Sequence, residues 1–167
     1  MNPAVLSGQT SLTITFLASF LIWFMFLGLT ILWLIDGRIK KEQAFHAFLS
    51  ALIAWGIASM IKNLFPTPRP FETLGLTPLT ITIPSDGGFP SEHAATAWAL
   101  GLTVWMHDKK YGLLFILGAI GVSMGRVLSN VHFPADIIVG SSIGIAVSYL
   151  FEKLHLYRVL TGRKNRG

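Results

Sequence analysis

Of the chain's 167 residues, 52% are hydrophobic and only 13% are charged, and the mean hydropathy is +0.60. A soluble domain carries about 25% charged residues, so the composition excludes a soluble module and, despite the formal net charge of +5, a nucleic-acid partner. The absence of cysteine excludes disulfides and thiolate metal sites.

Met1–Ser11 is uncharged and lacks the basic start of a cleaved signal peptide, so it reads as a retained end. Leu12–Ile35 has no charge and is long enough to span a bilayer. Asp36–Gln43 reads as a charged loop. Ala44–Leu64 is a second span, with Lys62 near its end. Pro66–Ser91 is a long loop that holds six of the eight prolines. Three shorter apolar runs follow: Ala94–Met106, Tyr111–Met124 and Ile137–Phe151, the first two joined by the charged turn His107–Lys110. Each is shorter than the roughly 20 residues that a span needs, but each abuts polar motif residues that can complete it. The tail from Glu152 is basic. The expectation is one membrane domain over residues 1–167, with a motif-bearing core of about 44–152, built as an all-α polytopic bundle of about five transmembrane helices.

Lys and Arg set the orientation. Ten of the 13 fall in the first loop, the 107–110 turn and the tail, which places those segments in the cytoplasm. Lys62, Arg69 and Arg126 lie on the other side, so the N-terminus is expected outside and the C-terminus inside.

Three polar clusters converge on that outer face. In the first, Pro66, Pro68 and Pro70 force an extended path, so that Arg69 leaves the second helix and folds back towards Lys62. Taken alone, Lys62 reads equally well as a snorkelling lysine. The second cluster is Gly87–His93, in which Ser91 is a good helix N-cap and aims backbone N–H groups at the loop. His93 falls in the first turn, and Glu92 there is also explained by the helix dipole. The third cluster is Gly125–Asp136. Ionisable groups at membrane depth cost roughly 2.5–3.5 kcal/mol each on insertion scales, so Arg126, His132 and Asp136 ask for a reason. A helix ending near Arg126, a turn, and a new helix near His132 stack His132 and Asp136 on one face. Asp136 then holds one ring nitrogen and frees the other. A metal site is the main rival, because His and Asp both ligate. Three cations without an offsetting carboxylate pair favour an anion instead, and Arg suits phosphate. His46, His107 and His155 have no assigned role, and Glu72, Asp86 and Asp108 read as solvated loop charges.

These motifs resemble the type 2 phosphatidic acid phosphatase family, whose pattern is K-x6-R-P, P-S-G-H and S-R-x5-H-x3-D. Here it stands as Lys62…Arg69-Pro70, Pro90-Ser91-Glu92-His93 and Gly125-Arg126…His132…Asp136. The family's glycine is Glu92 and its serine is Gly125. Losing that hydroxyl costs roughly 0.5–1.5 kcal/mol of phosphate binding. The resemblance implies a metal-independent membrane lipid phosphatase without a cofactor. His132 would be the nucleophile that forms a phosphohistidine, Asp136 its orienting partner, and His93 the acid and then the base. Lys62, Arg69, Ser91, Glu92 and Arg126 would line the phosphate site. The bacterial polyprenyl diphosphate phosphatases that this chain resembles often carry an acidic residue at the position of Glu92. The expected substrate is therefore undecaprenyl diphosphate, hydrolysed to the monophosphate on the extracytoplasmic face of a bacterial inner membrane for cell-wall synthesis. A phosphatidylglycerophosphate, phosphatidate or lipid A phosphatase is the alternative, and a lipid-phosphate binding or transport protein is the non-enzyme alternative. The expected partners are the lipid substrate and membrane lipids; the oligomeric state is not legible. The loop Leu74–Ile83 reads as a surface loop, or else as a lid.

Overall fold

The computed structural model describes residues 8–34 and 38–154. It is all-helical, with no strand among the described residues. The elements are α1 (Gly8–Thr15), a π-helical segment (Phe16–Phe20), α2 (Leu21–Leu34), α3 (Arg38–Leu64), α4 (Pro70–Leu74), α5 (Glu92–His107), α6 (Lys109–Leu128) and α7 (Pro134–Leu154). Much of the sequence 36–43 is thus the first turns of α3 rather than a loop. The cationic tail residues Arg158, Arg163, Lys164 and Arg166, together with His155, lie outside the described residues.

Among the described residues, four helices are long and apolar enough to cross a membrane: Ser11–Leu34, Lys41–Leu64, Lys109–Leu128 and Pro134–Lys153. The last two reach span length because the motif residues Arg126 and Asp136 belong to them, as expected from the short apolar runs. Helix α5 has only 16 residues. It nevertheless runs the length of the bundle. Its first residue, Glu92, meets Lys62 at the end of α3, and its last, His107, meets His46 near the start of α3. Helix α5 also packs against α6 and α7, which makes it the central helix.

Small residues let the helices approach. Ala44, Ala47, Ala51, Ala54 and Ala58 recur at steps of three and four, form one face of α3, and are buried. They share one buried core with Ala95, Ala97 and Ala99 of α5. On α7, Gly140 and Gly144 lie against the backbone of α5 so closely that a Cβ at either would collide with the carbonyl of Ser91 or Ala95. Packing through small residues four apart is the usual device of membrane helices, which gain no hydrophobic energy from pairing in lipid. Polar side chains stitch the same contacts: Ser148 Oγ donates to Ala99 O at 3.0 Å, and Trp98 Nε1 to Ser123 Oγ at 3.1 Å. Trp23, Phe24, Leu27, Leu52, Trp55 and Leu114 face outward, where lipid would cover them.

Candidate active site

The close approach of α7 to α5 fixes the site. Ser91 caps α5, its Oγ accepting from Ala94 N at 3.3 Å, while its own N–H donates to Asp136 O at 3.1 Å. The capped start of α5 is thereby tied to the start of α7. Pro134 opens α7, and Asp136 Oδ2 reaches back to accept from Phe133 N at 2.9 Å. His132 lies in the turn before α7 rather than inside a helix, which corrects the expectation of one shared helical face. Its Nδ1 is still 3.4 Å from Asp136 Oδ2, at ion-pair distance but outside hydrogen-bond geometry.

The other ring nitrogen faces two guanidinium groups. Nε2 of His132 is 3.4 Å from Arg69 Nη1 and 3.4 Å from Arg126 Nη2. Guanidinium can only donate, so Nε2 is the acceptor and the ring proton belongs on Nδ1, towards Asp136. Burial drives the imidazole pKa down. The interaction with Asp136 opposes this, and the two arginines reinforce it, leaving His132 below the ordinary value. The ring is therefore neutral near pH 7, with its lone pair among cations.

Each cation is held by local structure. Arg69 stands in extended backbone between α3 and α4, and its own N–H donates to Glu72 Oε2 at 2.7 Å. Its side chain is 1% exposed and donates to the carbonyls of Val131 (2.8 Å), Asp86 (2.9 Å) and Gly87 (3.0 Å). Arg126 Nη1 donates to Ala18 O at 3.2 Å, inside the π-helical segment of the first span. That span therefore touches the site, although the sequence motifs do not include it. Arg126 Nε is buried and has no hydrogen-bond partner among the described residues. A buried unmet donor costs about 1–3 kcal/mol, so a further acceptor belongs there.

Two carboxylates stand among these cations. Asp86 is not a solvated loop charge: Lys62 Nζ donates to its Oδ2 at 2.9 Å and Arg69 Nη2 to its Oδ1 at 2.8 Å. Partial burial tends to raise the Asp86 pKa, but the hydrogen bonds and charges of Lys62 and Arg69 outweigh it and hold the group at about 2. Glu92 Oε2 accepts from the same Lys62 at 2.8 Å. The three cations are thus offset by two carboxylates, contrary to the expectation of an unbalanced cluster. Lys62 and Arg69 are brought together as expected, with Asp86 as the bridge. His93, in the first turn of α5, is within electrostatic reach of Arg126, His132, Lys62 and Arg69. Glu72 caps α4 through the Arg69 N–H, and Asp108 caps α6, accepting from Lys110 N and Tyr111 N.

Glycine at 125 also has a structural cause. A Cβ there would lie 2.7 Å from Ala18 N and 2.8 Å from Leu17 Cβ, because the first span crosses α6 at this point. Next to the site, a cavity of about 400 Å³ runs between α2 and α3, lined by Trp23, Phe26, Phe48 and Trp55, and ends at Glu92 and His93. The loop Leu74–Ile83 is pinned beside the His132 turn: Asn130 Nδ2 donates to Thr77 O at 2.9 Å, and Leu79 N to Ser129 O at 3.0 Å.

An all-α membrane bundle that gathers arginines, a buried imidazole and its carboxylate at one end has the architecture of a membrane phosphatase. The chain belongs to the PAP2 superfamily, whose family model matches residues 43–160. It is 26% identical to the bacitracin transport permease protein BcrC of Bacillus licheniformis, over 89% of this chain and 78% of that protein. It is 30% identical to the undecaprenyl-diphosphatase of Sulfolobus acidocaldarius, over 76% of this chain and 62% of that protein. The crystal structure of Aquifex aeolicus LpxE has the same fold, with a TM-score of 0.73, 24% identity and 87% of each chain covered.

Proposed function

We propose that this membrane phosphatase hydrolyses a polyprenyl diphosphate, of the undecaprenyl type, to the monophosphate and inorganic phosphate through a phosphohistidine at His132. The observation that carries this is His132 Nε2, an acceptor 3.4 Å from each of two guanidinium groups. A terminal phosphoryl group held by Arg69 and Arg126 has its phosphorus beside that lone pair. Nε2 forms the bond to phosphorus, the bridging P–O bond breaks, and His93 gives its proton to the leaving oxygen. His93 then takes a proton from water, which attacks phosphorus, breaks the N–P bond and restores the lone pair. Asp136 compensates the charge that develops on the ring, and the guanidinium groups stabilise the equatorial oxygens. No metal takes part in this scheme, since a cation at Nε2 would sit against two others.

The apolar cavity ending at Glu92 and His93 suits a long hydrocarbon chain entering from the lipid side. Glu92 holds Lys62 in the free protein, so a bound phosphate competes with it for the ammonium. A diphosphate offers a second phosphoryl group that can share a proton with Glu92, and a monoester does not. The similarity to a diphosphatase supports this substrate. The Lys and Arg distribution supports an extracytoplasmic site and a cytoplasmic C-terminus, and a carrier of the undecaprenyl type would put the enzyme, as a single membrane domain, in a bacterial inner membrane. The test is phosphate release in detergent from undecaprenyl diphosphate, phosphatidylglycerophosphate and phosphatidate. We expect kcat/KM to be highest for the diphosphate and its lead over the monoesters to shrink in Glu92→Gly. An unchanged preference in that variant refutes the role of Glu92; no hydrolysis of any of the three refutes the enzyme.

A further inference from the structure

A second cluster of titratable groups lies at the other end of the bundle, and the phosphatase scheme does not use it. His46 on α3, His107 at the end of α5 and Glu152 on α7 converge there. His46 Nδ1 is 3.1 Å from His107 Nε2 and 3.3 Å from Glu152 Oε2, and His107 Nε2 is 3.1 Å from the same oxygen. The three atoms form a nearly equilateral triangle. Sixteen residues of α3 separate His46 from Lys62, which at 1.5 Å per residue is about 24 Å.

Hydrogen bonds serve such a triangle poorly. A neutral imidazole nitrogen either donates or accepts. If both nitrogens donate to Oε2, their protons crowd each other; if only one does, the other nitrogen turns its lone pair on the carboxylate. A cation at the centre is attracted by all three. Four-coordinate zinc with bonds of about 2.0–2.1 Å holds adjacent ligand atoms about 3.3 Å apart. The observed sides of 3.1, 3.1 and 3.3 Å are close to that spacing before any adjustment.

We propose that His46, His107 and Glu152 form a binding site for a divalent transition metal, zinc by preference, that clamps α3, α5 and α7 at the end of the bundle remote from His132. Two imidazoles and one carboxylate select zinc, cobalt or nickel over magnesium or calcium, which take oxygen ligands. Three protein ligands leave a fourth position for water. The ligands are pre-positioned: His46 is 2% exposed and packs edge-on against Phe151, with ring centroids 5.6 Å apart. The site ties the far ends of the helices that carry Lys62, His93 and Asp136, so its effect is on the stability of the bundle rather than on the chemical step.

The experiment uses the full chain without a histidine tag, purified in detergent, stripped with chelator and dialysed. Zinc is then added and measured by elemental analysis, cobalt is followed by its visible spectrum, and melting is recorded with and without metal. The expected result is about one zinc per chain, a tetrahedral cobalt spectrum and a melting temperature raised by several degrees. Glu152→Gln and His107→Ala should lose all three, and His132→Ala should keep them. Turnover well below the melting temperature should be the same with and without metal. Substoichiometric zinc at micromolar free metal, an octahedral cobalt spectrum in the wild type, or undiminished binding in both cluster variants overturns the site. Because these readouts do not involve hydrolysis, they stand or fall separately from the phosphatase reading.

Discussion

Two histidine clusters sit at opposite ends of the same helices, and their neighbours give them opposite chemistry. At one end His132 Nε2 faces Arg69 and Arg126, so the free lone pair looks out on cations and an anion belongs between them. At the other end His46 and His107 face the Glu152 carboxylate, and a cation belongs between them. Residue type alone does not separate the two cases. The guanidinium groups do: Arg69 is there because the 66–91 loop folds back over the turn between α6 and α7, and Arg126 because the last turn of α6 carries it.

The widest separation between the ends should be in turnover. His132→Ala removes the proposed nucleophile and should abolish hydrolysis, whereas His107→Ala should leave the rate below the melting temperature unchanged. Phosphate release by both variants at one temperature checks this, and comparable losses would erase the distinction. Next in size is His93→Ala, which should cost about 10²–10⁴ in kcat, the usual range for a general acid–base group. A loss confined to KM would make His93 a binding residue instead.

How much of this was legible before the structure depends on where each residue stands. Lys62, Arg126, His132 and Asp136 stood out because ionisable residues are costly in or beside apolar spans. Asp86 did not, because a carboxylate in a polar, proline-rich loop needs no explanation; only folding reveals that it bridges Lys62 and Arg69. Gly140 and Gly144 passed unnoticed because glycine is frequent in membrane helices, and what marks them is the backbone of α5 lying against them. His46, His107 and Glu152 are spread over three helices with no local spacing to betray them. The short third run was legible as a helix, but its place at the centre of the bundle was not, since periodicity does not rank helices by depth.

Gly125 sharpens the comparison between pattern and packing. The family pattern treats it as a lost hydroxyl, which predicts that Gly125→Ser improves phosphate binding. The structure predicts the reverse, because the new Cβ meets the backbone of Ala18 and Leu17 and pushes the first span from α6. Overpacking of this kind costs about 1–3 kcal/mol, and moving Ala18 also loosens Arg126, which donates to its carbonyl. The expected outcome is a lower melting temperature together with a lower kcat/KM. A gain in kcat/KM at unchanged stability would favour the pattern.

The smallest effect is the pH dependence, which reports the cationic surroundings of His132. Burial lowers its pKa, Asp136 partly restores it, and Arg126 and Arg69 lower it further. With the pKa lowered, the neutral nucleophilic form persists as the pH falls below about 6.5, the ordinary histidine value. The acid limb of kcat/KM should therefore lie below that value. Replacing Arg126 by Gln removes one of the lowering charges and should move the limb upward, while the rate at the plateau also falls. Stability carries the same sign. Below about 6.5 the unfolded chain takes up a proton that folded His132 refuses, so the fold weakens as the pH is lowered towards its folded pKa. Asp86 behaves differently: its ion pairs with Lys62 and Arg69 contribute fully above the ordinary value of 3.8 and are lost only as the pH falls towards about 2. Melting temperatures across acid pH should thus begin to fall in the histidine range while the Asp86 bridge is still intact, and Asp86→Asn should lower them most at neutral pH. An acid limb at the ordinary histidine value, unmoved by Arg126→Gln, would mean that the two guanidinium groups do not set the chemistry of His132.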